Sequence, residues 1–190
     1  MGDHGPGTPA TTGETLWTIG HWTCPEAAFL EPLLAEQVDL VVDVRALPGS
    51  RRSPQFDGDA MPGWLGEAGI DYLRVPELAG RRRRQDVDPA LNAGWRNQSF
   101  HNYADYTLTA PYAQGRAELE ELARARNAVL LCGEPMPWRC HRLLIANDVV
   151  ARGWTVWHLS VGQAPRRHVL GRWGAEPEVG PDRTVTYPAA

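Results

Sequence analysis

Cys132, Glu134, Cys140, His141 and Arg142 crowd into one short stretch, NAVLLCGEPMPWRCHRLLIA at 127–146. Two thiols, a carboxylate, an imidazole and a guanidinium could bind an anion, move a proton or form a covalent intermediate. A guanidinium grips phosphate or carboxylate in a fork, and a helix N-terminus attracts anions and lowers a nearby thiol's pKa. An anion site is therefore the first reading. The plainer reading is that Cys132 is a small buried residue at a strand end, while His141 and Arg142 cap the loop or pair with Glu134. Convergence of all five favours chemistry.

The elements around them are legible. Ala128 to Cys132 is an unbroken apolar run, as in a strand buried on both faces of a parallel sheet. From about Cys140 to Val150 apolar residues recur at helical spacing, and Arg152-Gly153 supplies a stop. Pro135 and Pro137 force a loop between them. Strand, loop and helix start in that order place polar groups at the carboxyl edge of an open sheet, where α/β proteins bind ligands.

The rest of the chain repeats the alternation. Thr15 to Gly20 is expected as a first strand. Thr23 is expected to cap a helix carrying Ala27, Leu30, Leu33 and Leu34, with Glu26 completing a capping box. Val38 to Val44 is the second strand, followed by a loop with Arg45, Arg51, Arg52, Gln55 and Phe56. Asp59 is expected to cap a short helix ending near Gly69, and Ile70 to Val75 is the third strand. After Glu77 and the Arg81 to Arg84 run, residues 85–106 form a long connection with Phe100, Tyr103 and Tyr106, of the kind that serves as a lid or binding loop. A helix over 109–126 and a last core strand at 154–159 complete one α/β domain at 15–160. Its expected form is a mostly parallel sheet of about five strands flanked by helices, Rossmann-like and three-layered. Residues 1–14 read as a disordered tail, and 161–190 as an extension with one edge strand at 184–187.

Composition narrows the classes. The chain has 190 residues, net charge −4, 43% hydrophobic and 22% charged residues. Those are the proportions of one ordinary globular domain. Every basic residue is Arg, and with abundant Ala, Gly and Pro this fits GC-rich coding, so Arg abundance alone is not phosphate recognition. A negative total argues against indiscriminate nucleic-acid binding. Cys24, Cys132 and Cys140 are too few for a disulfide framework. No charged-then-apolar leader and no long apolar run occurs, so a cytoplasmic, soluble protein without a membrane partner is expected.

Five blocks, TIGH at 18–21, DVRALPGSRRSPQF at 43–56, YLRVPELAGRR at 72–82, FHNYADY at 100–106 and LLCGEPMPWRCHRLLIA at 130–146, resemble the domain-of-unknown-function family numbered 488. The matching positions are His21, Asp43, Arg45, Arg51, Arg52, Gln55, Phe56, Glu77, Tyr103, Tyr106, Cys132, Glu134, Cys140, His141 and Arg142. The resemblance implies no specific activity. Trp22-Thr23-Cys24 and the bulky GEPMPWRCHR loop depart from the family's usual look, changes of a kind able to alter substrate choice while leaving the polar cluster intact.

Cations with aromatic faces suit a substrate carrying phosphate and a flat ring. The leading expectation is a hydrolase or transferase acting on a nucleotide or nucleic acid. Arg45, Arg51, Arg52 and Arg142 would hold the substrate together with Gln55, Phe56, Tyr103 and Tyr106. Glu134, Glu77, His21, His141 and Cys140 are the candidate catalytic groups. The alternatives are a thiol or sulfur-transfer enzyme using Cys140, although the CxxxxxR spacing of phosphatase loops is absent, and a non-catalytic nucleic-acid-binding module using Arg81 to Arg84. A metal held by His21, Cys24, Cys132, Cys140 and His141 lacks any paired CxxC. No cofactor or metal is expected.

Overall fold

The computed structural model describes residues 14–49 and 51–190. The tail expected at 1–14 lies outside the described residues except for Glu14, which pairs with Arg124. Along the described chain run β1 (Thr15–Gly20), α1 (Glu26–Ala35), β2 (Leu40–Asp43), α2 (Met61–Glu67) and β3 (Asp71–Arg74). Then follow α3 (Gln98–Tyr106), α4 (Ala110–Ala125), β4 (Ala128–Cys132), α5 (Arg142–Ala151) and β5 (Thr155–Ser160). The chain closes with β6 (Gln163–Arg167), β7 (Glu178–Val179) and β8 (Val185–Thr186).

Among the described residues the main sheet has six strands, in the order β3-β2-β4-β1-β5-β6. The first five pair in parallel, and β6 folds back antiparallel on β5. The expectation of about five mostly parallel strands thus gains an edge strand whose sequence, QAPRR, carries no apolar alternation to announce it. The strand expected at 184–187 pairs with β7 in a separate ladder rather than with the main sheet. The order also differs from the 3-2-1-4-5-6 order of the dinucleotide-binding fold.

Two apolar clusters lie against the strands. One joins Phe29 and Leu33 of α1 to Met61 and Leu65 of α2, with Ile19, Val41, Val129 and Leu131. The other joins Tyr103, Tyr112, Leu119 and the inner residues of α5 to Leu16, Val42 and Leu130. Alternate residues of β4 serve different clusters, as the period-two geometry of a strand requires. Connections that step toward β3 (β1 to β2, β2 to β3) carry α1 and α2. Those that step toward β6 (β3 to β4, β4 to β5) carry α3, α4 and α5, as crossovers of one hand demand.

Several helix starts differ from expectation. α1 begins at Glu26 with Pro25 as its N-cap residue, and no side chain caps it, so Thr23 does not play that part. α2 has Ala60 rather than Asp59 at its N-cap. In α2 a proline in the first turn, Pro62, sets the helical φ and dispenses with an N–H that has no partner there, whereas Pro25 of α1 sits at the N-cap in an extended conformation, ψ 153°. The long connection contains α3, capped by Asn97, whose side chain accepts from the amides of Ser99 and Phe100. α5 ends as expected, with Gly153 at φ 100°. Among the described residues no helix is long and apolar enough to cross a membrane.

Candidate functional site

Adjacent strands β1 and β4 end side by side, with Gly20 opposite Cys132. The ladder continues past them: the amide of His21 donates to the Cys132 carbonyl at 3.0 Å, and that of Trp22 to the Gly133 carbonyl at 3.0 Å. From here the two connections leave in opposite directions, one toward β2 and one toward β5. A crevice forms where such connections diverge. It is filled by a pocket of about 530 Å³ lined by His21, Arg45, Arg81, Phe100, Tyr103, Cys132, Glu134, Arg139, Cys140 and His141, among others.

At its floor, one donor atom each of Cys132, Cys140 and His141 lie within 4.8 Å of one another. Cys140 Sγ is 3.6 Å from His141 Nδ1, and His141 Nε2 is 2.9 Å from the carbonyl oxygen of Val44. A carbonyl only accepts, so Nε2 carries a proton, and Nδ1 is the ring nitrogen that faces the sulfur. Gly80 packs against the ring so closely that a Cβ there would lie 2.8 Å from Nδ1. Cys140 is 6% exposed and precedes α5 rather than opening it; a tight turn at Pro137–Arg139 delivers it to the floor. Burial opposes its ionisation. The hydrogen bond from Cys132 and the electrostatic influence of His141 and Arg142 outweigh that and hold the Cys140 thiol well below its ordinary pKa. Cys132 is pushed the other way, first because it donates to Cys140 and then by its own burial.

Arg142 is fully buried, and no carboxylate lies within ion-pair distance of it among the described residues. Its Nη1 donates to Thr18 Oγ1 at 3.2 Å, its Nη2 donates to the Glu134 carbonyl, and its Nε has no partner. It does not line the pocket. From Thr18 a buried polar chain runs on through His158 (2.7 Å), His168 (3.0 Å) and Asn147 (2.9 Å) to the Tyr187 hydroxyl (2.8 Å). Burial drives the pKa of His158 down to about 3, with His168 adding to it, and burial drives that of His168 down to about 4.

Arg45 is bound to the buried Asp43 carboxylate, with Nη2 to Oδ2 at 2.6 Å. Its Nη1 also donates to the Phe56 carbonyl at 2.7 Å and faces His21 Nε2 at 3.1 Å. His21 donates from Nδ1 to the Trp22 carbonyl and stacks on Phe56 at 4.4 Å. Burial, with Arg45 contributing, keeps its pKa below the usual value, so it stands neutral. Trp22 beside it is exposed, with φ 47°.

Of the residues singled out from sequence, Glu134, His141, Cys140, His21, Arg45, Cys132 and Tyr103 meet at the pocket. Arg51 and Arg52 are exposed and do not line it. Gln55 donates to the Cys24 carbonyl, and Phe56 belongs to the core beneath His21. Glu77 lies outside, its Cβ against Gly115, while Tyr106 donates to the Glu77 carbonyl and carries Arg82 over its ring at 4.0 Å. Cys24 is apart from the other thiols and donates to the His21 carbonyl at 2.9 Å. Sequence reasoning did not single out Gly80, Arg139, Thr18, His158 or His168. Gly80, directly before the arginine run, and Thr18, inside the TIGH block, were the available signals.

Arg81 and Arg139 are both exposed and line the pocket, and among the described residues neither guanidinium has a hydrogen bond or ion pair. Arg81 is held at φ 57°, a left-handed conformation that costs a non-glycine residue energy and is concentrated at functional positions.

No curated protein and no solved structure gives a significant match to the chain. One family model does, over residues 26–149, more than half of the length and including β2, β4, the Cys132 to Arg142 loop and most of α5. By that match the chain belongs to the family described as domain of unknown function DUF488.

Proposed function

We propose that this protein is an enzyme, a hydrolase or transferase, acting on a phosphate-bearing substrate with a planar ring: a nucleotide or a nucleic acid. The observation that carries the reading is the pocket lining, where Arg81 and Arg139, whose guanidinium groups have no partner among the described residues, share one pocket with Phe100 and the edge of the buried Tyr103. Guanidinium groups free of internal partners suit phosphate, and aromatic faces suit a base. A volume of about 530 Å³ is within the usual range for a small-molecule site.

In this reading Arg81 and Arg139 take the phosphate, a part that the buried Arg142 cannot play. The half-buried Glu134 carboxylate, at the pocket wall, is the general acid or base. Neutral His21, fixed by Arg45 and Phe56, orients the substrate or a water.

Titration with mononucleotides and short single-stranded DNA at low salt tests this. Binding should weaken at least about tenfold in the Arg81→Ala/Arg139→Ala double variant, and the salt slope should shrink by about one for each arginine lost. Absence of binding at low salt would sink the reading. Binding lost with Arg83 and Arg84 but untouched by Arg81, Arg139 and Glu134 would instead favour a non-catalytic nucleic-acid module.

A further inference from the structure

We propose that Cys132, Cys140 and His141 form a three-ligand site for a thiophilic divalent metal ion, zinc being the best fit, with its remaining position open to the pocket. The inference does not depend on which substrate the pocket takes.

The donor atoms are already gathered. A tetrahedral zinc ion with Zn–S of about 2.3 Å and Zn–N of about 2.0 Å separates its sulfur and nitrogen ligands by about 3.6 Å. Cys140 Sγ and His141 Nδ1 stand at that separation, 3.6 Å. The sulfur of Cys132 completes a group whose members all lie within 4.8 Å, against about 3.8 Å between two sulfurs on one tetrahedral zinc. Closing on an ion asks for only a small inward movement.

The imidazole is also prepared. A metal-bound histidine usually gives its second N–H to a carbonyl or carboxylate, which fixes the tautomer and aims the ring. Val44 supplies that carbonyl to His141 Nε2, which leaves Nδ1, on the side of the Cys140 sulfur, as the nitrogen that would take the ion, and position 80 on that side is a glycine. His21 and Cys24 do not belong to the set. Both His21 nitrogens are engaged by Trp22 and Arg45, and the Cys24 thiol is turned to the His21 carbonyl.

Three ligands rather than four is the pattern of zinc sites that keep a position for water or substrate. Among the described residues no further His, Cys, Asp or Glu joins the cluster, and all three members line the pocket. In such a site Cys140 serves as a ligand rather than as a free nucleophile. The ion would act as a Lewis acid on a substrate oxygen, or on a water within the same pocket as Glu134.

The test uses the full chain, purified without a histidine tag and stripped with a chelator. Zn²⁺ is titrated in competition with a chromophoric chelator, and Co²⁺ is then substituted. One ion per chain is expected, with thiolate-to-cobalt charge-transfer absorption and the visible bands of tetrahedral cobalt. Affinity should fall on the order of a hundredfold or more in Cys132→Ser, Cys140→Ser and His141→Ala, and stay unchanged in Cys24→Ser. A readout free of variants guards against misfolding: Zn²⁺ should protect Cys132 and Cys140 of the wild-type chain from iodoacetamide without changing the labelling of Cys24. Failure to take up one ion, or uptake that neither protects these thiols nor depends on them, would overturn the proposal.

Discussion

His141 and Val44 are joined across the pocket floor by a bond from the imidazole Nε2 to the main-chain carbonyl at 2.9 Å, although 97 positions separate them. The bond ties the end of β2 to the start of α5, so the orientation of a side chain in one connection is set by the backbone of another. Because the partner is main chain, no side-chain substitution at position 44 removes it directly. The ring can be displaced only from its other side.

Gly80 is that side. A Cβ at position 80 would approach Nδ1 to 2.8 Å and the neighbouring ring carbons to 3.0 and 3.2 Å. Gly80→Ala should therefore push the imidazole off its carbonyl while costing less than about 2 kcal/mol of stability, since the contact lies at the pocket and not in either core cluster. Nitrogen-15 NMR of the histidine side chains checks this: a bonded, slowly exchanging Nε2–H at His141 in the wild type should be lost in the variant.

The Asp43–Arg45 pair is a different kind of support. Both side chains are buried, and the carboxylate also accepts from Tyr72 Oη at 2.6 Å and from the Arg45 amide at 2.9 Å. Removing one partner strands a buried charge, so Asp43→Ala should cost about 3 to 5 kcal/mol in urea unfolding. Arg45→Met/Asp43→Leu, which removes both charges, should recover part of the loss. A single variant as stable as wild type would show that the pair is not held as described.

Acid should loosen the fold through His158 and His168. Their pKa values, about 3 and about 4 in the folded chain, lie below the ordinary value of 6.5. The folded state therefore excludes protons that the unfolded chain accepts. The stabilisation is complete above about pH 6.5 and is lost progressively as pH falls through about 4 for His168 and toward about 3 for His158, at about 1.4 kcal/mol for each pKa unit. Thermal melts from pH 7.5 to 4.5 should show Tm falling on the acid side, and His168→Gln should flatten that slope even though its Tm at pH 7.5 is lower.

Tyr187 ends the same polar chain. Tyr187→Phe leaves the Asn147 side-chain amide without its acceptor in a buried place, a loss of about 1 to 3 kcal/mol. An unfolding free energy within about 0.3 kcal/mol of wild type would mean that water replaces the hydroxyl there.

Much of the fold was legible because its central strands are apolar on both faces. Val38 to Val44 and Ala128 to Cys132 announce themselves in that way. Gln163–Arg167 did not, because an exposed edge strand needs no apolar side chains and is specified by its hairpin with β5. The thiols, Glu134 and His141 were legible as a group through the strand–loop–helix pattern. Arg142 was legible as a residue but not in its direction, since only the packing of α5 shows that its guanidinium points inward to Thr18. His158 and His168 lie outside that stretch, and only the pairing of β5 with β6 brings them together.

The place of β1 in the sheet has a consequence for how the molecule is made. Among the described residues it is the first strand, yet its neighbours in the sheet are β4 and β5. During synthesis β1 must remain unpaired until more than a hundred further residues have left the ribosome, while β2 and β3 can already meet. Such long-range closure is slow relative to local pairing. The pocket, which needs His21 from after β1 and Cys132 from the end of β4 in its lining, is therefore among the last parts of the protein to come into being.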